Sequence, residues 1–153
     1  MNSNIKRIIS IVAPIVLVAV LGSVFVNIGM DWFNELNKPS QWIPNIVIPI
    51  VWSVIYIAFA IILLRWTANE ELPTLTKILL IINGVLNVLW CLIFFTLKQT
   101  FLGNIAIVLN AILAVVLIVD ILKNKRLYGL ILSIYPMWVC IATTLNTALW
   151  ILN

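Results

Sequence analysis

The chain has 153 residues, of which 64% are hydrophobic and 9% charged, with a formal net charge of +4 and no histidine. A water-soluble domain carries roughly 25% charged residues, so this composition excludes a soluble surface and points to an integral membrane protein. The apolar runs are continuous rather than alternating, which argues against barrel strands, and the basic residues sit at the ends of those runs rather than in a patch, which argues against a nucleic-acid partner.

The first apolar run covers residues 8–28 and follows a short basic start with Lys6 and Arg7. At about 21 residues it is long enough to cross roughly 30 Å of hydrocarbon, longer than a signal-peptide core, and no small-x-small cleavage site follows. It is therefore a retained first helix, with Pro14 as a candidate kink and Gly22 and Ser23 as a close-packing face. Residues 29–44 interrupt the apolar pattern, at the length of about 12–15 residues beyond which structureless loops become uncommon. Trp32, Phe33, Leu36 and Trp42 make disorder a poor description of it. The expectation is a lid: a short helical turn capped by Asp31 and reaching Leu36, then an extended stretch held by Pro39 and Pro44.

The second span covers residues 45–64, with Pro49 in its first turn and Trp52, Tyr56 and Phe59 on one face. A polar connection at 65–77 leads to a third span at 75–97, where Asn83, Asn87 and Trp90 share a face. After a tight turn at 98–100, a fourth span covers residues 101–122, with Asn110 in its interior and Asp120 near its end. The connection at 123–126 is the most basic in the chain. The fifth span, residues 127–152, carries no charge; Thr143, Asn146 and Trp150 lie on one face of it, and Trp138, Ala142 and Leu145 on another. Short connections make successive helices antiparallel neighbours. The expected fold is an all-α membrane protein, a single five-transmembrane-helix bundle over residues 1–153.

Five spans put the ends of the chain on opposite sides of the membrane. Lys6, Arg7, Arg65, Lys77, Lys123, Lys125 and Arg126 fall at one face, Lys38 and Lys98 at the other. The positive-inside rule places the N-terminus in the cytoplasm, with the 29–44 lid and the C-terminal end outside.

Seven tryptophans in 153 residues are the outlier. Trp32, Trp42, Trp66 and Trp150 lie at or near span ends, where interfacial belts account for them. Trp52, Trp90 and Trp138 lie inside spans, as bulky packing or as the walls of a pocket for a flat apolar ligand. Asn83, Asn87, Asn110 and Asn146 need partners at membrane depth, which makes them interhelical contacts, ligand contacts or both. Cys91 and Cys140 are expected as small buried packing residues. No nucleophile with a base and an orienting group is visible, nor a Gly-rich phosphate loop, so no catalytic residue and no metal ligand set is assigned.

Three blocks then resemble the TspO/translocator-protein family, also called tryptophan-rich sensory proteins or peripheral-type benzodiazepine receptors. The first holds Trp32, Phe33, Leu36, Lys38, Pro39, Ser40, Pro44, Asn45, Val51, Trp52, Ser53 and Tyr56. The second holds Leu86, Asn87, Trp90, Phe94 and Phe95, and the third Tyr135, Trp138, Ala142, Leu145, Asn146, Trp150 and Asn153. Departures are local: Gln41 where an aromatic is usual, Ile43 and Pro44 for a Pro-Pro pair, Leu92 for a proline, and Pro136 two places late. Asn110 lies only near the position of an acidic residue, and no Lys or Arg follows Arg126, so sterol recognition is not implied.

The resemblance implies a five-helix bundle, often a homodimer, with a pocket under the first loop that takes porphyrins and synthetic drug-like ligands. On that basis the protein is expected to be a membrane receptor or sensor for a tetrapyrrole. Trp52, Trp90 and Trp138 would be its walls, with Tyr56 and Ala142 beside them. Asn87 and Asn146 would offer amides, and Lys38 would meet a propionate at the mouth. The absence of histidine favours a metal-free porphyrin, held as a ligand and not as a cofactor. The alternatives are an enzyme that breaks porphyrins down oxidatively and a transporter of porphyrin-like molecules.

Overall fold

In lipid every backbone N–H and C=O must be satisfied within the protein, and long apolar segments do this by becoming helices. The computed structural model describes residues 2–40 and 42–153; Met1 and the variant lid position Gln41 lie outside the described residues. None of the described residues forms a strand, and five helices are long and apolar enough to cross a membrane. The elements are α1 (Ser3–Glu35), α2 (Val47–Trp66), α3 (Thr74–Cys91) continued by a π turn (Leu92–Thr96), α4 (Thr100–Asn124), α5 (Arg126–Leu132) and α6 (Ile134–Leu152). α4 packs most extensively on α6 and α3, while α1 lies against α3 and the π turn.

The first helix does not stop at residue 28. α1 runs through Pro14 and Gly29 for 33 residues, about 50 Å, well beyond the hydrocarbon thickness. The expected lid over 29–44 is corrected accordingly: residues 29–35 are the last turns of α1, Asp31 starts no separate helix, and only 36–46 connect to α2. The physical reason is contact. A Cβ on Gly29 would lie on the carbonyl oxygen of Phe95, so the glycine lets two backbones touch where a side chain would part them. Thr96 adds a tether, its hydroxyl donating to the Phe25 carbonyl at 3.1 Å.

The π turn is legible in its hydrogen bond from Leu97 N–H back to Leu92 C=O, 2.9 Å, five residues away. It turns both Phe94 and Phe95 into the core. Lys98 then takes a positive φ of 56° to reverse the chain into α4. Gly103 on α4 meets the same turn closely: a Cβ there would come within 2.8 Å of the Phe94 ring.

The fifth span is broken rather than continuous. Pro136 has no N–H to bond the carbonyl of Leu132, and its ring crowds that carbonyl, so α5 ends at Leu132 and α6 begins at Ile134. Ser133 fills the gap, donating its hydroxyl to Gly129 C=O at 2.8 Å.

Polar residues at depth mostly join helices. Asn83 donates to Asn110 at 2.9 Å and accepts from the Tyr135 hydroxyl at 2.5 Å, tying α3, α4 and α6. Thr76 donates to Asp120 at 2.6 Å, and Thr147 to Asn104 at 2.8 Å. Two sequence expectations fail here. Trp66 does end its span, but its ring does not face outward: it is 2% exposed, packed beside Tyr128, because α2 turns that side of its last turn inward. Cys140 is not a buried packing residue but exposed on the outer face of α6, while Cys91 is buried; both thiols are free.

Candidate ligand-binding site

Aromatic side chains from α1, the connection at 36–46, α2, α3, the π turn and α6 converge where α1 ends. On α2, Trp52 stacks on Tyr56, centroids 5.8 Å apart and planes 27° apart, because a four-residue spacing sets them one above the other. Trp52 faces Trp90 of α3 at 6.5 Å and 30°, and Trp90 stacks on Phe94 of the π turn at 6.2 Å and 19°. Tyr135 of α6 presents an edge to Trp52 at 6.2 Å. From above, Phe33 of α1 reaches Phe95 at 5.3 Å and Trp42 at 5.9 Å.

Phe33, Trp42, Trp52, Trp90, Phe94 and Phe95 border a space of about 50 Å³, with Trp138, Ala142 and Asn146 of α6 on its far wall. Of the residues expected in the site, Trp52, Trp90, Trp138, Ala142 and Asn146 come together here. Phe33, Trp42, Phe94, Phe95, Leu145 and Leu149 line the same space and were not assigned to it from sequence. Phe94 and Phe95 were visible in the second block, but only the π turn explains why adjacent residues both point inward.

Tyr56 and Asn87 lie elsewhere. Each is on the expected helix, yet each lines a separate and much larger cleft of about 1090 Å³ between α1, α2 and α3. Lys38 lines neither space. Its ammonium donates to the carbonyls of Phe33 at 2.9 Å and Asn34 at 3.3 Å, and sits 4.8 Å from the Phe33 ring centre. A lysine there satisfies the orphan carbonyls at the helix end and complements its dipole.

The connection at 36–46 is a strap pinned at several points. The Asn153 side chain accepts from Asn37 N–H at 2.9 Å and donates to Asn37 C=O at 3.1 Å. Trp42 donates its indole N–H to Asn45 at 2.9 Å.

Two donors at the small space stand out. Trp90 Nε1 donates to Asn146 Oδ1 at 3.1 Å, fixing the amide and leaving its Nδ2 pointing away from that partner. Asn146 Nδ2 and Trp138 Nε1 are both buried without a hydrogen-bond partner among the described residues. A buried unpaired donor costs about 1–3 kcal/mol, and these two flank one aromatic space.

The profile of the TspO/MBR family matches residues 10–151. The chain belongs to the TspO/MBR family. Among its relatives, Protein CrtK of Rhodobacter capsulatus is 32% identical over 80% of this chain and 78% of its own. Tryptophan-rich protein TspO of Archaeoglobus fulgidus is 26% identical over 98% of this chain and 99% of its own. The TspO of Chlorobaculum tepidum is 28% identical over 100% and 99%. In this TspO/MBR protein the three blocks that carried the resemblance are three walls of one aromatic space. Their spacing in sequence follows from the need to bring α2, the end of α3 and α6 to the same depth.

Proposed function

We propose that this TspO/MBR membrane protein is a receptor for a flat, acceptor-bearing aromatic ligand, a metal-free tetrapyrrole, taken into the aromatic space beneath the strap at 36–46. The observation that carries this reading is the pair of unpartnered donors, Trp138 Nε1 and Asn146 Nδ2, set about two turns apart on α6 among stacked rings. Ring nitrogens and carboxylates of a porphyrin supply acceptors, and its macrocycle supplies faces for Trp52 and Trp90. These donors take the part that the sequence had given to Lys38. A space of about 50 Å³ has room for a water or two, whereas drug-sized ligands occupy pockets of roughly 300–1,000 Å³, so admission requires Trp42, Phe33 and the strap to move outward.

Titration of the purified protein with metal-free porphyrin, read by quenching of tryptophan fluorescence, tests this. Losing an indole that stacks on the ligand costs about 1–3 kcal/mol, so Trp52→Ala and Trp90→Ala are expected to weaken binding roughly 5- to 150-fold. Asn146→Leu is expected to weaken it as well. Trp150→Ala, which does not line the space and packs on Phe101, is the control. Binding no better than to protein-free micelles, or equal losses for Trp150→Ala and Trp52→Ala, would refute the assignment. Affinity that responds to Asn87→Leu but not to Asn146→Leu would place the porphyrin in the larger cleft.

The orientation proposed with this function keeps the basic end in the cytoplasm and the strap outside. Arg65, Lys77, Lys123, Lys125 and Arg126 all flank one end of the bundle, and only Lys38 and Lys98 lie beside the strap end. A cysteine placed at Lys125 in a background without Cys91 and Cys140 should react with an impermeant thiol reagent only after cells are opened. One placed at Lys98 should react in intact cells. The opposite pattern reverses the topology.

A further inference from the structure

The cleft of about 1090 Å³ between α1, α2 and α3 is far larger than the aromatic space, and the aromatic site does not account for it. Along α1 it runs from Arg7 to Leu21, roughly 21 Å at the rise of a helix. Its rims include Leu17, Ile81 and Val85, which are 58%, 67% and 53% exposed, so it opens sideways toward the surrounding lipid. It exists because α1 leans on the bundle mainly at its strap end. The buried residues of α1 are Gly22, Gly29 and Phe33, with none in the half that starts at Ser3.

Its two ends are polar in different ways. At the mouth, Glu71 is paired with Lys77 at 3.5 Å and Glu70 with Lys125, so those charges are matched. Arg7 is not: it has no carboxylate partner among the described residues, and its Nε is buried without a hydrogen bond. At the deep end, Asn87 is only 6% exposed and lines the cleft, and its side chain makes no hydrogen bond to another described residue. Tyr56 lines the same end, and its hydroxyl has no partner among the described residues either. Asn87 lies ten residues beyond Lys77 on α3, roughly 15 Å into the membrane from the mouth. Asn83, one turn closer to the mouth, is already held by Asn110 and Tyr135 and offers nothing further.

We propose that this cleft is a second ligand site, open to the bilayer, for a long-chain acid whose carboxylate meets Arg7 and whose far end carries a hydroxyl or carbonyl that bonds Asn87 and Tyr56. An arginine with an unused donor matches a carboxylate, which the paired lysines at the same mouth do not need. The walls between the two ends are apolar (Pro14, Val18, Phe59, Leu80, Val88), so they suit methylene chain. A plain acyl chain would bring a methyl group against an amide and a phenol, leaving both unpaired at depth; an oxygen at that end removes the cost.

The test uses the purified full chain and native mass spectrometry with three probes: hexadecanoic acid, its ω-hydroxy derivative, and hexadecanol. The ω-hydroxy acid is expected to bind tightest. Removing the charged contact, by Arg7→Gln or by using hexadecanol, should cost roughly 10-fold. Asn87→Leu should abolish the preference for the ω-hydroxy acid over hexadecanoic acid while leaving the latter bound. Val18→Trp, which fills the shaft, should remove binding of all three, and Ile131→Leu, on the exposed face of α5, should change nothing. Each variant is first shown to melt cooperatively; Arg7→Gln and Asn87→Leu probe opposite ends, so loss of one fold leaves the other informative. Equal affinity of the three probes in the unmodified protein, or affinities indifferent to Arg7→Gln and Asn87→Leu, overturns the proposal. Because none of these residues lines the aromatic space, porphyrin binding should survive Arg7→Gln whichever way this test falls.

Discussion

Gly29→Ala is expected to lower stability by roughly 3 kcal/mol or more, at the upper end of what overpacking costs. The added methyl group would lie on the Phe95 carbonyl, and neither partner can yield by changing a rotamer, because both sides of the contact are backbone. α1 must then move away from the π turn. It would carry Phe33 with it and open the roof of the aromatic space. Gly22→Ala is the matched control on the same helix. A Cβ there would meet only Cys91 Sγ, at an ordinary 3.5 Å, and alanine favours helix over glycine by about 1 kcal/mol. Melting of the two variants in the same detergent checks this. If Gly29→Ala melts with Gly22→Ala, the close approach of the two backbones is not what holds α1 in place.

The second large effect belongs to Trp66. Truncating a buried tryptophan to alanine typically costs 3–5 kcal/mol, and Trp66 at 2% exposure is in that class, whereas Trp150 at 38% is not. In lipid the loss comes from packing contacts and the cavity left behind rather than from water-driven burial. Trp66→Phe should recover much of the loss. It keeps the ring against Tyr128 and deletes an indole N–H that is buried without a partner. Thermal unfolding followed by near-ultraviolet circular dichroism separates the cases. Equal losses for Trp66→Ala and Trp150→Ala would return Trp66 to the membrane interface.

What the sequence could and could not convey follows from which interactions are local. The five spans were legible because the membrane imposes length and apolarity on each separately. Trp52, Trp90, Trp138, Ala142 and Asn146 were legible as a group through the three blocks of the resemblance, whereas spacing alone had set Asn146 on a different face from Trp138 and Ala142, with which it lines one space. Tyr56 and Asn87 share those faces, yet each is about one turn from a neighbour that lines the small space, and one turn is enough to reach the other cavity. No periodicity distinguishes two cavities stacked along the same helices.

The errors have the same origin. Gly29 looked like a helix stop because its use depends on Phe95, which is remote in sequence. Trp66 looked interfacial because it lies at the end of a span, while the rotation of α2 that buries it is set by packing. The π turn leaves no hydrophobic pattern of its own; the only hint was Leu92 where the family usually has a proline. The break before α6, by contrast, was written in Pro136, whose effect falls four residues upstream at Leu132.

The pins on the strap also set a clock. Asn37 with Asn153, Lys38 with the end of α1, and Trp42 with Asn45 are mostly solvent-accessible hydrogen bonds, each worth a net 0.5–1.5 kcal/mol or so. Together with the Trp42 and Phe33 contact they hold the strap down by a few kcal/mol, and a raised form above such a gap would be populated at roughly 0.1–10%. Any molecule using that route waits for the raised form, so its apparent affinity is reduced by the same fraction. Under the proposed function, the two Asn37–Asn153 hydrogen bonds would bear on exchange beneath the strap without Asn153 touching the ligand.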